Sequence, residues 1–320
     1  MAIYTGSNKH LGGTEAITQK QETFYGLVQK NVLITGSNGQ LGNELRKRQE
    51  ISNNVFYYIY TDAGDLDITD LQQVTDFVKH HSIQYIINCA AYTNVEKAET
   101  DVEAAYLVNY TGAENLAKAA AENNCRLIHI STDFVFDGKS IIPYTENVAA
   151  NPLSVYGKSK LKGEEAIREF CPDAVIIRTS WLYSEFGNNF VKTMIRLMNE
   201  REELNIVSDQ RGTPTYAADL AEMILHIMEF AETEEWKPGM YHFSNMGETS
   251  WFEFAEKIKE LGNIQNCQLN PIKTDEYPTA AERPPYSVMN LSKIQSAFHV
   301  EIPKWENGLE RCIKQLAINN

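Results

Sequence analysis

Tyr156 and Lys160, in the run YGKSK, stand four residues apart, the spacing that stacks two side chains on one helix face. The chemistry such a pair offers is proton transfer. A free phenol titrates near pH 10, and an ammonium group one turn away favours its ionised form, so Lys160 is expected to lower the Tyr156 pKa. Just upstream, Ser131-Thr132-Asp133-Phe134 supplies a hydroxyl, that of Thr132, able to hold an oxygen that Tyr156 would protonate. The same residues have plainer uses: Tyr and Lys recur at this spacing on helix surfaces, and Ser-Thr-Asp at a strand end can cap its own backbone.

A second constellation is Thr35-Gly36-Ser37-Asn38-Gly39-Gln40-Leu41-Gly42, with Gly36, Gly39 and Gly42 at i, i+3 and i+6. Such glycines allow a tight turn, let backbone approach a pyrophosphate and let the following helix pack closely on its strand, with the helix N-terminus facing the anion. Position carries the weight here, because the triplet lies between an apolar strand and a helix within a β–α–β unit, the context of a dinucleotide site. Asp62 follows the second strand about twenty residues on, where a carboxylate can accept from the ribose hydroxyls and favour NADH over NADPH. Thr61-Asp62-Ala63-Gly64 is equally readable as a turn. Asp67 and Ile68 are placed to flank the adenine.

These groups need a scaffold, and the periodicity supplies one. Short apolar strands are expected at Lys30 to Thr35, Val55 to Tyr60, Tyr85 to Cys89, Arg126 to Ser131 and Ala174 to Arg178. Helices are expected from about Gln40, over Asp70 to His80 behind an Asp N-cap, over Val102 to Asn123 and over Val155 to Phe170. This alternation implies an α/β fold, a Rossmann-type doubly wound parallel sheet with helices on both faces. The proton-transfer pair then follows the fourth strand, at the edge where such sheets open their ligand crevice. Beyond Trp181 the rhythm loosens, with helices near 188–199, 217–230, 251–261 and 305–316 between Gly- and Pro-containing segments. The expected organisation is a dinucleotide-binding domain over 30–182 with a returning helix near 215–232, and a smaller α/β substrate-binding lobe from 183–214 and 233–320.

Composition narrows the partners. The chain has 320 residues, 43% of them apolar, and a formal net charge of −14 spread over both halves, which argues against nucleic acid and anionic membranes. No apolar run is long enough to span a bilayer. Residues 1–29 are polar and lack the apolar stretch of a secretory signal; they read as an appended, loosely ordered arm dispensable for chemistry. The five cysteines, Cys89, Cys125, Cys171, Cys267 and Cys312, form no CxxC pair and read as core residues of a reducing cytoplasm. No histidine pattern suggests a transition-metal site.

With the glycine turn, STDFVFDG from Ser131, YGKSK and Arg178-Thr179-Ser180-Trp181-Leu182-Tyr183 in this order, the chain resembles the extended short-chain dehydrogenase/reductase superfamily. Within it, the chain is similar to the dTDP-4-dehydrorhamnose reductases. Further matching segments are NCAAYTNVEKAE from Asn88 to Glu99, GNNF from Gly187, DQRGTPT from Asp209, and Arg283-Pro284, so the resemblance runs from about Asn31 to the C-terminus. It implies reduction of a nucleotide-bound 4-keto-sugar by NADPH or NADH. Tyr156 would be proton donor, Lys160 would bind the nicotinamide ribose and tune Tyr156, and Thr132 would hold the keto oxygen. Asp133 and Trp181 would line the sugar pocket. Ala91, Tyr92 and Thr93 match the loop beside the nicotinamide half, and Gly39, Gln40 and Leu41 the pyrophosphate turn.

The resemblance also implies a homodimer, at whose contact family members can hold Mg2+ through glutamates. Glu44 matches one ligand position and Glu202 or Glu203 another, but Gln315 stands where a third acid is expected, and a partial carboxylate set binds a hard cation weakly. Two other readings remain open on sequence. One is a nucleotide-sugar epimerase or dehydratase of the same superfamily, although Phe134 occupies the place of the dehydratases' glutamate. The other is a catalytically silent subunit like the regulatory subunit of methionine adenosyltransferase, since fold does not fix function.

Overall fold

The computed structural model describes residues 29–49 and 55–318. The arm expected over 1–29 thus falls, apart from Gln29, outside the described residues. Six strands form the central sheet: β1 (Lys30–Thr35), β2 (Phe56–Tyr60), β3 (Ile83–Asn88), β4 (Arg126–Thr132), β5 (Val175–Thr179) and, from much later in the chain, Gly239–His242. All neighbours in it are parallel. β1 sits centrally, with β2 on one side and β3, β4, β5 and Gly239–His242 in turn on the other. The chain therefore reverses its direction of travel between β1 and β3, and the crevice beyond the carboxyl ends of these two strands is the topological switch point where such sheets bind ligands.

Alternation along β1 builds both layers of the core. Val32 and Ile34 point to one face, against Leu41 and Leu45 of α1 (Gln40–Gln49) and Leu220 and Ile224 of the returning helix, Ala217–Thr233. Leu33 points to the other, joining Val74 and Val78 of α2 (Leu71–His80) and Leu116 and Ala120 of the helix that follows β3. Asp70 caps α2 as its sequence indicates, accepting from the Gln73 amide at 3.0 Å. The helix after β3, α3, runs through Val102–Tyr106, a π-helical turn at Leu107–Gly112, and Ala113–Glu122. α4 (Val155–Phe170) starts behind Ser154, whose hydroxyl accepts from the Gly157 amide.

The smaller lobe packs around Tyr183, from the short strand Leu182–Tyr183, and Met194, Leu204, Phe254 and Leu309, from helices Phe190–Glu200, Trp251–Leu261 and Trp305–Ile318 and the parallel strand pair Glu203–Val207 and Gln268–Ile272. One placement differs from the sequence-based expectation. Gly239–His242 lies in the segment assigned to the lobe, yet it completes the central sheet beside β5, and helix Ser292–Phe298 packs with it through Ile294 and Phe298. Four residues opening on glycine carry no periodic signal that would reveal a strand. Among the described residues no helix is long and apolar enough to cross a membrane.

His242 ends that sixth strand fully buried, its Nδ1 3.1 Å from the Tyr144 carbonyl, and burial together with the nearby Arg178 cation pushes its pKa down to about 3. A depressed folded-state value means that the unfolded chain binds the proton first, so this contribution to stability is intact above pH 6.5 and is lost as pH falls towards 3. The stability difference between wild type and His242→Gln should therefore shrink by about 1.4 kcal/mol per pH unit below pH 6.5. Urea unfolding of both proteins at pH 7, 6 and 5 checks this; a pH-independent difference would show that His242 takes up its proton in the folded state.

Candidate active site

The glycine turn is built for close backbone approach. Gly36 has φ +64°, and a Cβ on it would lie 2.6 Å from the backbone of Ala90, so the turn after β1 and the loop after β3 nearly touch. The Gly39 amide donates to the Gly36 carbonyl, and α1 begins at Gln40 with its N-terminus facing the crevice. This geometry fits a dinucleotide pyrophosphate. Leu41 is in the core, so only its backbone belongs to the turn, while Gln40 reaches sideways to accept from Asn189 at 2.9 Å.

Asp62 lies at the end of β2, as expected, with its carboxylate accepting from the Asn38 amide at 3.0 Å and from its neighbour Ala63 at 2.8 Å. A cation that no sequence spacing announces reaches the glycine turn. Arg46 of α1 places its guanidinium 4.6 Å from the centre of the Tyr60 ring and 3.2 Å from the Ser37 hydroxyl. Further along, Asp67 is exposed and accepts from Thr69, and buried Ile68 presses on Gly112 of the π turn.

On the far side of the crevice, β4 ends in Thr132, Asp133 opens the turn that follows, and α4 brings Tyr156 beside them. The approach depends on Gly157: a Cβ there would lie 2.2 Å from the Phe134 carbonyl, so a larger residue would push Tyr156 off the β4 loop. The Thr132 hydroxyl lowers the cost of ionising Tyr156, whose ring meets that of Phe134 edge-on at 5.5 Å between centroids. Asp133 is buried and its Oδ2 has no partner, a carboxylate oxygen waiting for a donor. Burial pushes its pKa up to about 6, against the hydroxyls of Ser287 and Thr132.

The electrostatics correct one expectation. Burial pushes the Tyr156 phenol up to about 12, and the lysine does not bring it down. The reason is where Lys160 points: its Nζ donates to the Ile130 carbonyl at 2.7 Å and lies 3.4 Å from Nε2 of His129. Burial pushes Lys160 itself down to about 8, with Glu164 and Cys89 acting in the opposite sense.

Beneath Lys160 lies a polar chain that the sequence did not announce. Asn88 Oδ1 accepts from the Ala90 amide and the Thr35 hydroxyl, so its NH2 must face His129 Nδ1, 2.9 Å away. His129 therefore carries its proton on Nε2, and burial followed by the Lys160 charge keeps its pKa well below the usual value. Asn109, from the π turn of α3, binds both backbone groups of Tyr92 and the Ser159 hydroxyl, tying the Ala91–Tyr92–Thr93 loop to α4. π turns inside helices recur at functional sites, but nothing in the local sequence marks this one.

Trp181 sits at φ +47° and stacks on Trp251, 3.5 Å between centroids and 9° between planes. Trp251 in turn lines a cavity of about 690 Å3 with Phe190, Gln210, Tyr277 and Arg283, a size typical of small-molecule sites. The Mg2+ donor set does not fit. Glu44 is fully buried and bound by Arg48 and Ser184, and Lys47 donates to both Glu185 and Gln315 beside it. Among the described residues no cluster of three or more potential metal ligands occurs.

Comparison with known proteins identifies the family of the chain. Residues 30–318 match the model of the RmlD substrate binding domain family. A dTDP-4-dehydrorhamnose reductase of Aggregatibacter actinomycetemcomitans is 42% identical over 287 residues, covering 87% of this chain and 97% of that protein. The Salmonella typhimurium reductase is 38% identical over 292 residues, covering 89% and 98%. Among solved structures, the dTDP-4-dehydrorhamnose reductase of Bacillus anthracis in complex with NADP superposes with a TM-score of 0.85 at 42% identity, covering 90% of this chain and all of that one. A family match over nearly all the described residues, with relatives of about 40% identity covered almost end to end, shows that the chain belongs to the RmlD family, that of the dTDP-4-dehydrorhamnose reductases.

Proposed function

We propose that this chain reduces the 4-keto group of dTDP-4-dehydrorhamnose to give dTDP-L-rhamnose, with NADPH as reductant. The observation that carries the reading is the convergence of the Tyr156 hydroxyl, the Thr132 hydroxyl and the unpartnered Asp133 Oδ2 at the carboxyl end of β4. When bound, the reduced nicotinamide supplies the hydride. The protein's part is the proton and the placement. Tyr156, protonated at any assay pH because burial raises it, donates to the oxygen that gains charge at C4, and Thr132 holds that oxygen. Asp133 Oδ2 accepts from a sugar hydroxyl, and the Trp181–Trp251 stack forms an apolar wall for the ring.

Gly36, Gly39, Gln40, Leu41 and Gly42 would cradle the pyrophosphate, Ala91, Tyr92 and Thr93 the nicotinamide half, and Lys160, redirected from the Ile130 carbonyl, the ribose. The Asp62 carboxylate is taken up by the amides of Asn38 and Ala63, and Arg46 reaches the Ser37 hydroxyl of the same glycine turn, which supports NADPH, since an arginine there accommodates the 2′-phosphate. Phe134 presents a ring where dehydration would need a carboxylate. The five free cysteines fit a reducing cytoplasm. The test is to supply dTDP-4-dehydrorhamnose with NADPH or NADH and follow loss of the reduced-coenzyme absorbance. Stoichiometric oxidation with dTDP-L-rhamnose as product is expected, faster with NADPH; sugar turnover without net coenzyme oxidation would make the chain an epimerase, and no turnover with either coenzyme a silent binder.

A further inference from the structure

The segment running from Thr274 to Arg283 is fixed to the smaller lobe at both ends. At its start the Thr274 amide and hydroxyl donate to the Asp209 carboxylate at 3.0 and 2.7 Å, and just past its end the Pro285 carbonyl accepts from the Arg211 amide at 2.8 Å. Between these anchors 275–280 is exposed. Through Tyr277, Thr279 and Arg283 the segment walls the cavity of about 690 Å3, together with Phe190 and Trp251.

Its hydrogen bonds to the nucleotide-binding side, among the described residues, converge on one carboxylate. The amides of Ala280 and Ala281 donate to Glu96 Oε2 at 2.8 and 3.3 Å, and Arg283 Nη2 donates to Oε1 at 2.6 Å. Glu96 lies on the four-residue helix Val95–Ala98, directly after the Ala91–Thr93 loop. An exposed ion pair alone is worth little. A carboxylate that receives a guanidinium and two adjacent backbone amides is a different device, because it fixes the path of the chain as well as a charge. Burial would raise the Glu96 pKa, but Arg283 and the two amides outweigh it and hold the carboxyl below its ordinary value, so the bonds persist across the neutral range.

We propose that Glu96 is a positioning residue: it latches the 274–283 strap across the cleft and thereby sets the cavity wall against which the nucleotide sugar lies, governing its affinity and not the chemical step. This rests on the reading in which that cavity belongs to the substrate cleft. Without the latch the competent wall would be populated only part of the time, and apparent affinity would fall by that fraction.

The test uses the full chain with Glu96→Ala and Glu96→Asp. Amide exchange is measured in the absence of ligands, and steady-state kinetics follow with dTDP-4-dehydrorhamnose and NADPH. In Glu96→Ala the Ala280 and Ala281 amides should lose protection while peptides from β4 and α4 keep theirs. KM for the sugar should rise roughly tenfold, with kcat and NADPH affinity within about twofold of wild type, and Glu96→Asp should recover part of both effects. Unchanged protection at 280–281, a fall in kcat at unchanged KM, or a loosened strap with an unchanged KM would each overturn the proposal. A wild-type chain inert towards this sugar would instead overturn the functional reading, leaving the exchange data to decide the latch by themselves.

Discussion

Tyr156→Phe should lower kcat by about 10²–10⁴-fold while leaving NADPH binding and the fold intact, because general acid catalysis typically contributes a factor of that size. The substitution is clean on structural grounds. Phenylalanine keeps the ring that meets Phe134 edge-on, and it removes a hydroxyl whose neighbour, Thr132, can turn to its other partner, the Asp133 carboxylate at 3.1 Å. The pH profile adds a second readout. With the phenol pushed up to about 12 by burial and the lysine pushed down to about 8, the limb within the range of ordinary assays belongs to Lys160. Wild-type activity should therefore fall through about pH 8 as the ammonium is lost, and no limb from Tyr156 should appear below it. Near-wild-type turnover in Tyr156→Phe, measured alongside coenzyme titration, would show that another group protonates the sugar oxygen.

What the sequence disclosed, and what it hid, divides along sequence separation. α4 is legible to the residue, because Ser154 caps it and its apolar positions recur at helical spacing. The glycine turn is legible because Gly36, Gly39 and Gly42 each answer a backbone requirement of one short loop. The alternation of strands and helices implies a doubly wound parallel sheet, but that the chain reverses between β1 and β3 emerges only from the strand pairing. The supporting groups are another matter. Asn88, His129 and Lys160 lie on three separate elements and meet only once the sheet has formed, and Glu96 and Arg283 are 187 residues apart. None of these has a spacing to recognise. The pKa expectation failed for a related reason: an i, i+4 pair shares a helix face, but where each charged tip goes depends on what else offers a partner, and the Ile130 carbonyl offered Lys160 one beneath the strand.

The same helix carries a second fully buried charge. Glu164, one turn past Lys160, receives Arg178 Nε at 2.8 Å and Nη2 at 2.6 Å and the Ser131 hydroxyl at 2.5 Å, with side-chain exposures of 0% for the acid and 5% for the base. Such a pair need not add net stability, because desolvation offsets much of the attraction, but removing one member leaves the other charge buried and unpaired. Glu164→Ala should therefore cost about 3–5 kcal/mol in urea unfolding, which at roughly 2–4 °C per kcal/mol is a large fall in Tm. Replacing both Glu164 and Arg178 by methionine should recover most of that loss, since no stranded charge remains. A loss below about 1 kcal/mol in the single variant would mean that water or a rearranged partner reaches Arg178. The milder Glu164→Gln carries the argument back to catalysis. Among the groups that hold the Lys160 pKa up against burial, Glu164 has the larger effect, ahead of Cys89, so its neutralisation should move the alkaline limb of activity to lower pH. That shift should appear even in a variant whose fold is only modestly weakened, which separates the electrostatic role of Glu164 from its structural one.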